Sequence, residues 1–581
     1  MTGRGNASIL EALRYVPFGA FLGLLAVPAA AQTLPPAALQ SVPPGSPLPR
    51  VLPELPPPVA LPTPPAAPPA GGAVPNATVR IASVAVEGVT AYRPADILAL
   101  APGLTGPAVP LAQIEAARQA ILQHYRHDGY VLSTVAASID AAGALRFVVT
   151  EGRIASVKLS RDIGPAGVQV LRFLRRLTET TPIDEATLER YLLLAQDVPG
   201  VTLHAVLQPS TEEPGALNLI ADVSRAPVSG LVTTDNYASP YTGPIESLLV
   251  ANLNSFSEYG EQTQISLYHT WLNSQTFGQA STETFIGDSG LKVRLYGGDG
   301  EALPTGTLAA EKYLGITTVF GAVLTYPIIR VRQQTLNLIG SLDAVDSDIH
   351  TSGGSSADSL RVARVGANYA RSDLLFGDAR SAVNSLALRV SQGLPVLGAS
   401  ANGGAALPRP GERIDFVKVD AQLSRTQVLF SPWQDATVSV MGLLAGQFSP
   451  QMLPPAEEFY LGGLQFTRGY YSGEVSGDKA LAATAELQLD TSLDLSRLGL
   501  PDPLPTQFYA FYDWGETWQN DQQSLQVHIN SAGGGVRVNA TRYAEIDVMG
   551  LGRLNRYPTG AGAGIRPLGP AAFFWRVLAR F

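Results

Sequence analysis

Two regimes of hydrophobic patterning divide the chain. Between residues 79 and 223 helical and strand periods alternate; beyond Arg225 the helical period disappears and segments of about ten alternating residues replace it. In the first regime residues 79–88 read as a strand and 96–100 as a short helix. Leu111, Ile114, Ile121 and Tyr125 mark one face of a longer helix that ends at Gly129 and Tyr130. Residues 132–139 and 145–150 alternate around a turn at Ala142 and Gly143. The order strand, helix, helix, strand, strand then repeats, with strands at 154–160, 201–208 and 216–223 and helices at 168–177 and 185–196. This predicts two small α+β units, 78–152 and 153–226.

In the second regime Val417, Val419, Ala421 and Leu423 oppose Lys418, Asp420, Gln422 and Ser424. Ala483, Ala485, Leu487 and Leu489 oppose Thr484, Glu486, Gln488 and Asp490, and Leu386, Leu388 and Val390 oppose Arg389 and Ser391. The last segment puts Phe573, Trp575, Val577, Ala579 and Phe581 on one face and Arg576 and Arg580 on the other. About sixteen such segments fit between Gly230 and Phe581, too many for a soluble sandwich. Apolar-out, polar-in strands closed on themselves leave no backbone unpaired in lipid. The expected fold is mainly β: an antiparallel transmembrane β-barrel of about 16 strands over 227–581, enclosing a wet or plugged lumen.

Composition narrows the function. A net charge of −9 argues against a nucleic-acid partner, and the absence of cysteine excludes thiolate metal sites, thiol nucleophiles and disulfides. Arg4 and Arg14 precede an apolar run at 16–27 and the small residues Ala29, Ala30 and Ala31, the form of a secretory signal peptide over 1–31. Residues 32–77 are dominated by proline and read as an extended, semi-rigid linker.

One stretch stands out chemically. Residues 459–480 form a glycine-punctuated loop, within a longer connection near 448–477, and carry Arg468, Gly469 and Tyr470. Forty-five residues after Arg468, Phe511, Asp513 and Gly515 share one face of a strand. Arg468 and Asp513 are suited to a charge-assisted, bidentate pair. His124 and His127 share a helix face but lack a third ligand and read as surface residues. The run 297–300 reads as a strand-connecting loop rather than a calcium turn, and Asn76-Ala77-Thr78 fits a glycosylation pattern that means little in a bacterial envelope. No catalytic or cofactor-binding constellation emerges, so an enzyme is not expected.

The order of these parts resembles the two-partner secretion transporters (TpsB), the hemolysin secretion/activation family of ShlB/FhaC/HecB type within the POTRA-barrel outer-membrane superfamily. The resemblance is carried by two POTRA-like units, with the Tyr125-x4-Tyr130 segment and the junction at 149–154. It also rests on Asp235-Asn236-Tyr237, Leu461-Gly462-Gly463, Arg468-Gly469-Tyr470 and Phe511-x-Asp513-x-Gly515. It implies a bacterial outer-membrane location with the POTRA units in the periplasm. By the same resemblance the long loop would fold into the lumen, where Arg468, Gly469 and Tyr470 would lock against Phe511, Asp513 and Gly515. Phe581, with Trp575 on the same face, would be the assembly signal read by the barrel assembly machinery, with periplasmic chaperones, during biogenesis. Outer-membrane lipid and lipopolysaccharide would surround the barrel. The implied activity is export of one partner exoprotein (TpsA-like), captured by the POTRA units through strand addition and passed unfolded through the pore (type V secretion). The alternatives are a BamA-like barrel assembly factor and a diffusion porin. Such transporters commonly carry an amino-terminal plug helix. Here the proline-rich start disfavours one, since proline costs about 3 kcal/mol in a helix interior.

Overall fold

The computed structural model describes residues 77–581, except 212, 214, 239–242, 306–308, 310–311, 378–379, 495–502, 521–525 and 556–567. The expected signal peptide and almost all of the proline-rich linker therefore lie outside the described residues.

The first unit contains β1 (Thr78–Ile81), β2 (Ser83–Glu87), α1 (Pro94–Leu98), β3 (Gly106–Pro110), α2 (Leu111–His127), β4 (Thr134–Ile139) and β5 (Ala144–Thr150). The second contains β6 (Arg153–Leu159), α3 (Ala166–Arg175), α4 (Glu185–Gln196), β7 (Val201–Pro209) and β8 (Ala216–Arg225). Each has a three-stranded sheet with its last strand in the middle, parallel to the first and antiparallel to the other: β2-β5-β4 and β6-β8-β7. In the second unit the expected element order holds throughout.

In the first unit the strand expected over 79–88 is two strands. The chain leaves its pairing with β3 at Ala82, whose N–H donates to Gly143 O (2.8 Å), and joins β5 in the main sheet. β3 escaped the periodicity because two prolines interrupt it, which only an edge strand tolerates. Ile97, Ile114, Ile121, Tyr125, Leu145 and Phe147 make this unit's core.

Among the described residues, sixteen antiparallel strands close into a barrel. They are β9 (Val228–Asp235), β10 (Glu246–Asn254), β11 (Gln262–Thr270), β12 (Gln275–Phe285), β13 (Lys292–Ala302), β14 (Leu314–Val331), β15 (Gln334–Thr351), β16 (Gly354–Asp373), β17 (Ala382–Gly393), β18 (Val417–Phe430), β19 (Thr437–Phe448), β22 (Lys479–Leu493), β23 (Leu504–Trp518), β24 (Gln526–Thr541), β25 (Ala544–Arg553) and β26 (Ala571–Arg580). Two short strands, β20 (Phe459–Leu461) and β21 (Val475–Gly477), pair only with each other, inside the connection from β19 to β22. The alternation works as expected: Leu423, Leu487 and Phe573 are exposed on the outer wall, whereas Lys418, Thr484 and Glu486 are buried on the inner one.

The glycine run 297–300 is not a connecting loop but the interior of β13. Its glycines make room for aromatic neighbours: a Cβ at Gly300 would lie 2.6 Å from the Phe277 ring, and one at Gly297 would lie 3.0 Å from Phe320. No described helix is long and apolar enough to cross a membrane; the crossing is made by strands.

Because the second unit runs directly into β9, the rim where β9 begins is periplasmic. The unit docks on turns of that rim. Arg330 donates to Asp197 (2.9 and 2.5 Å), Arg332 Nε to Glu189 (2.5 Å), and Arg190 Nη2 to the carbonyls of Pro327 (2.9 Å) and Ser289 (3.1 Å). Phe285, at the end of β12, enters the unit's own core and meets Phe173 edge-on at 5.0 Å. The two units are joined in turn by Glu185 N–H, which donates to Gly129 O (2.8 Å), by Ile183 N–H, which donates to Gly152 O (3.0 Å), and by Leu132, which enters the second unit's core. At the end of the first unit the Glu151 carboxylate accepts from Thr90 N–H (2.8 Å), Ala91 N–H (2.9 Å) and the Tyr125 hydroxyl (2.8 Å). Burial pushes the Glu151 carboxyl up, but these donors outweigh it and hold the group below its ordinary value.

Candidate functional site

The connection from β19 to β22 leaves the outer rim and turns back into the lumen. Its local course is set by backbone geometry. Gly462 and Gly463 adopt positive φ (99° and 89°), and a Cβ at Gly462 would lie 2.0 Å from Tyr471 O, so only glycine fits the turn. Thr467 also has positive φ (54°), an uncommon conformation for a β-branched residue. Its hydroxyl accepts from Gly462 N–H (2.9 Å), and the bend presents the next residue to the wall.

That residue is Arg468. Its Nε and Nη2 donate to the two oxygens of Asp513 (2.9 and 2.8 Å), and its backbone N–H also donates to Asp513 Oδ2 (2.9 Å). Nη1 donates to Glu486 of β22, and the guanidinium lies over the Phe511 ring, 3.8 Å from its centre. Asp513 is fully buried and Arg468 is 7% exposed, so the fork is satisfied by two carboxylates and an aromatic face with little water. Asp513 stands five residues from the outer end of β23, roughly 16 Å along the strand at 3.3 Å per residue. The loop tip is therefore well inside the barrel.

The remaining expected residues converge on the same point. Gly469 donates its N–H to Ser531 Oγ (3.2 Å) and accepts from Arg553 Nε (2.5 Å); a Cβ there would lie 2.5 Å from that of Ser531. The Tyr470 hydroxyl lies within hydrogen-bonding distance of Asn530 O (3.0 Å) and Asn555 O (2.5 Å). Gly515 leaves space for Leu461 and Thr467, which would be 2.8 and 2.9 Å from a Cβ. Tyr237 stacks on Phe574 at 4.2 Å, with Tyr471 edge-on to the same ring.

Phe581 and Trp575 lie elsewhere, at the closing seam between β26 and β9. Phe581 exchanges backbone hydrogen bonds with Gly230 (3.0 and 2.9 Å), and Trp575 N–H donates to the Asn236 side chain (2.8 Å). The seam ladder is short, running from Arg576 opposite Asp235 to Arg580 opposite Leu231. His124 packs against Tyr92 (4.8 Å), and His127 sits beside Asp128 (3.0 Å).

Sequence reasoning did not single out Glu486 as the second carboxylate on Arg468, although it placed Glu486 on the polar face of its strand. Behind it, Arg537 donates to Glu486 Oε1 (3.0 Å) and Asp547 Oδ2 (3.2 Å) and stacks on Tyr509 at 3.9 Å. The wall beneath the loop tip is thus a continuous row of alternating charges.

A sixteen-stranded outer-membrane barrel with periplasmic POTRA units and a loop clamped in its lumen defines an outer-membrane transport or assembly protein of the POTRA-barrel class. Profiles of known families agree: residues 79–152 match the ShlB-type POTRA domain, and residues 217–538, more than half of the chain, match the haemolysin secretion/activation protein ShlB/FhaC/HecB. The chain belongs to this haemolysin secretion/activation family. It is 25% identical over 436 residues to the hemolysin transporter protein ShlB of Serratia marcescens, covering 71% of this chain and 72% of that one. Among solved structures, CdiB from Escherichia coli superposes with a TM-score of 0.68 at 18% identity, covering 89% of this chain and 93% of the other. CdiB from Acinetobacter baumannii gives 0.58 at 15%, covering 90% and 95%.

Proposed function

We propose that this protein exports one partner exoprotein across the outer membrane, taking it unfolded from the periplasm through the barrel to the cell surface. The observation that carries this reading is the loop itself. A passive porin has no need of a lumen crossed by a loop on breakable ion pairs, or of two POTRA units at its entrance, one docked on the rim by Arg330, Arg332 and Arg190. Among the described residues no further strand pairs with the outer edges of β2 and β4 in the first unit, which suits capture of an extended client by strand addition. The work is non-covalent, and the role we assign is transport rather than catalysis. Arg468, with Gly469 and Tyr470, acts as the lock, and Phe511, Asp513 and Gly515 form its seat.

In cells lacking the protein, one large exoprotein should disappear from the medium and the cell surface, and return with the full chain, while other outer-membrane barrels assemble normally. General loss of other barrels would point instead to an assembly role. We further propose that Phe581, seated over Gly230 at the seam with Trp575 on the same face, serves barrel assembly. Phe581→Ala should lower the folded fraction seen as heat-modifiable mobility on gels; an unchanged fraction would rule this out.

A further inference from the structure

The loop is attached to the barrel at a second place. Its neck is a short turn, Pro455–Glu457, just after β19. Glu457 is fully buried and takes Arg364 Nη2 of β16 on one oxygen (2.7 Å) and Lys418 Nζ of β18 on the other (2.8 Å). Arg364 Nε also lies 2.9 Å from Asp343 of β15, and Lys418 Nζ and Gln447 Nε2 donate to the Glu457 carbonyl (2.8 and 3.1 Å). The next residue, Glu458, lies 2.8 Å from Arg409 Nη1. Arg409 belongs to the outer loop 394–416 and also holds Asp478, at the far end of the long loop (3.0 Å). The neck therefore binds β15, β16, β18, β19 and a neighbouring loop, whereas the tip binds β22, β23, β24 and β25. The two sets share no charged group, although Ala445 of β19 also packs in the apolar cluster of Phe466 and Tyr470 at the tip.

We propose that Glu457, with Arg364 and Lys418, is a second latch that holds the loop neck independently of the Arg468 lock. When the tip lets go, the neck and the outer loop tied to it through Arg409 still cover the outer mouth, and a passing chain must displace both. The consequence for transport rests on the export reading above, but the latch can be tested without a client.

The chain contains no cysteine, so a single introduced thiol reports cleanly. Ser531→Cys lies beneath the tip, on a fully buried side chain touched by Gly469. Ala456→Cys lies in the neck, partly buried against an apolar cluster that includes Leu453. Each is placed in the folded, heat-modifiable full chain and labelled with a water-soluble maleimide. Local opening should raise labelling at Ser531→Cys at least about tenfold on Arg468→Ala, leaving Ala456→Cys within about twofold, and Glu457→Gln should do the reverse. If Glu457→Gln gives no folded barrel, Lys418→Met, which leaves Arg364 on Glu457, carries the same prediction with a smaller rise. Both thiols opening together with either substitution, or the Ala456→Cys thiol staying protected when the neck partners are removed, would overturn the proposal.

Discussion

The lumen lock and the joint between the second POTRA unit and the barrel rim use the same chemistry, arginine on carboxylate, in different surroundings. In the lumen the side chains of Arg468, Glu486 and Asp513 are 8%, 1% and 0% exposed. At the joint the pairs grade outward, from Arg330 with Asp197 (6% and 24%) to Arg176 with Asp288 (40% and 31%). The joint also has an apolar part, because Phe285 enters the core around Phe173, Leu174 and Leu188. The loop tip has an apolar part as well: Leu461, Phe466 and Tyr470 are buried with Ala445, Ala482 and Ile529 of the wall, and Leu464 and Tyr471 pack on the cluster of Phe511, Leu551 and Phe574. What differs is the water around the charges. Charge lost from the lumen leaves its partner stranded without water, whereas charge lost at the joint is partly made good by solvent. The joint should therefore weaken by degrees, and the loop should fail at a single substitution.

The largest effect should come from Asp513→Ala. It strands Arg468 with only Glu486, and removing one member of a buried pair costs roughly 3 to 5 kcal/mol. Secreted client per folded transporter should fall severely while membrane insertion continues. Phe285→Ala comes next, at about 3 kcal/mol for truncating a buried aromatic. It should raise amide exchange in α3 and α4 without altering the lumen, and equal exchange in mutant and parent would show that the ion pairs alone hold the joint.

The smallest effect should be that of mild acid. Burial raises the Asp197 carboxyl, but Arg330 more than offsets this and holds it below its ordinary value. A carboxylate depressed in the folded state contributes stability that is complete above its unfolded pKa of about 3.9 and is lost as pH falls through the lower folded value. Protection of α4 should therefore be constant from neutral pH to about pH 4 and decline below it, and Asp197→Asn should remove that decline.

Much of this architecture is legible in the chain because period and position agree. α4 falls on the predicted residues 185–196, since apolar spacing and the Asp184 cap, whose carboxylate accepts from Thr187 N–H (2.8 Å), mark the same start. Arg468 and Asp513 could be paired because the strand period aims Asp513 inward and the glycine-rich loop is long enough to reach it. Glu486 was visible only as one polar residue among several on an inward face. Glu457 left no signal: it follows two prolines in a stretch without periodicity, and its partner Arg364 is 93 positions away. The glycines of β13 misled for the opposite reason, since glycine that makes room for a cross-strand aromatic cannot be told locally from glycine that makes a turn.

The central claim is that Arg468 and Asp513 act as one unit that seats the loop for transport. Its most direct test is a double-mutant cycle of Arg468→Ala and Asp513→Ala on secreted client, normalised to folded, heat-modifiable transporter. The account predicts that each single substitution cuts secretion severely and that the double variant is no worse than the worse single, with Arg468→Lys rescuing poorly because lysine lacks the planar fork. Losses that simply add would show that the two residues act separately, and would contradict the lock.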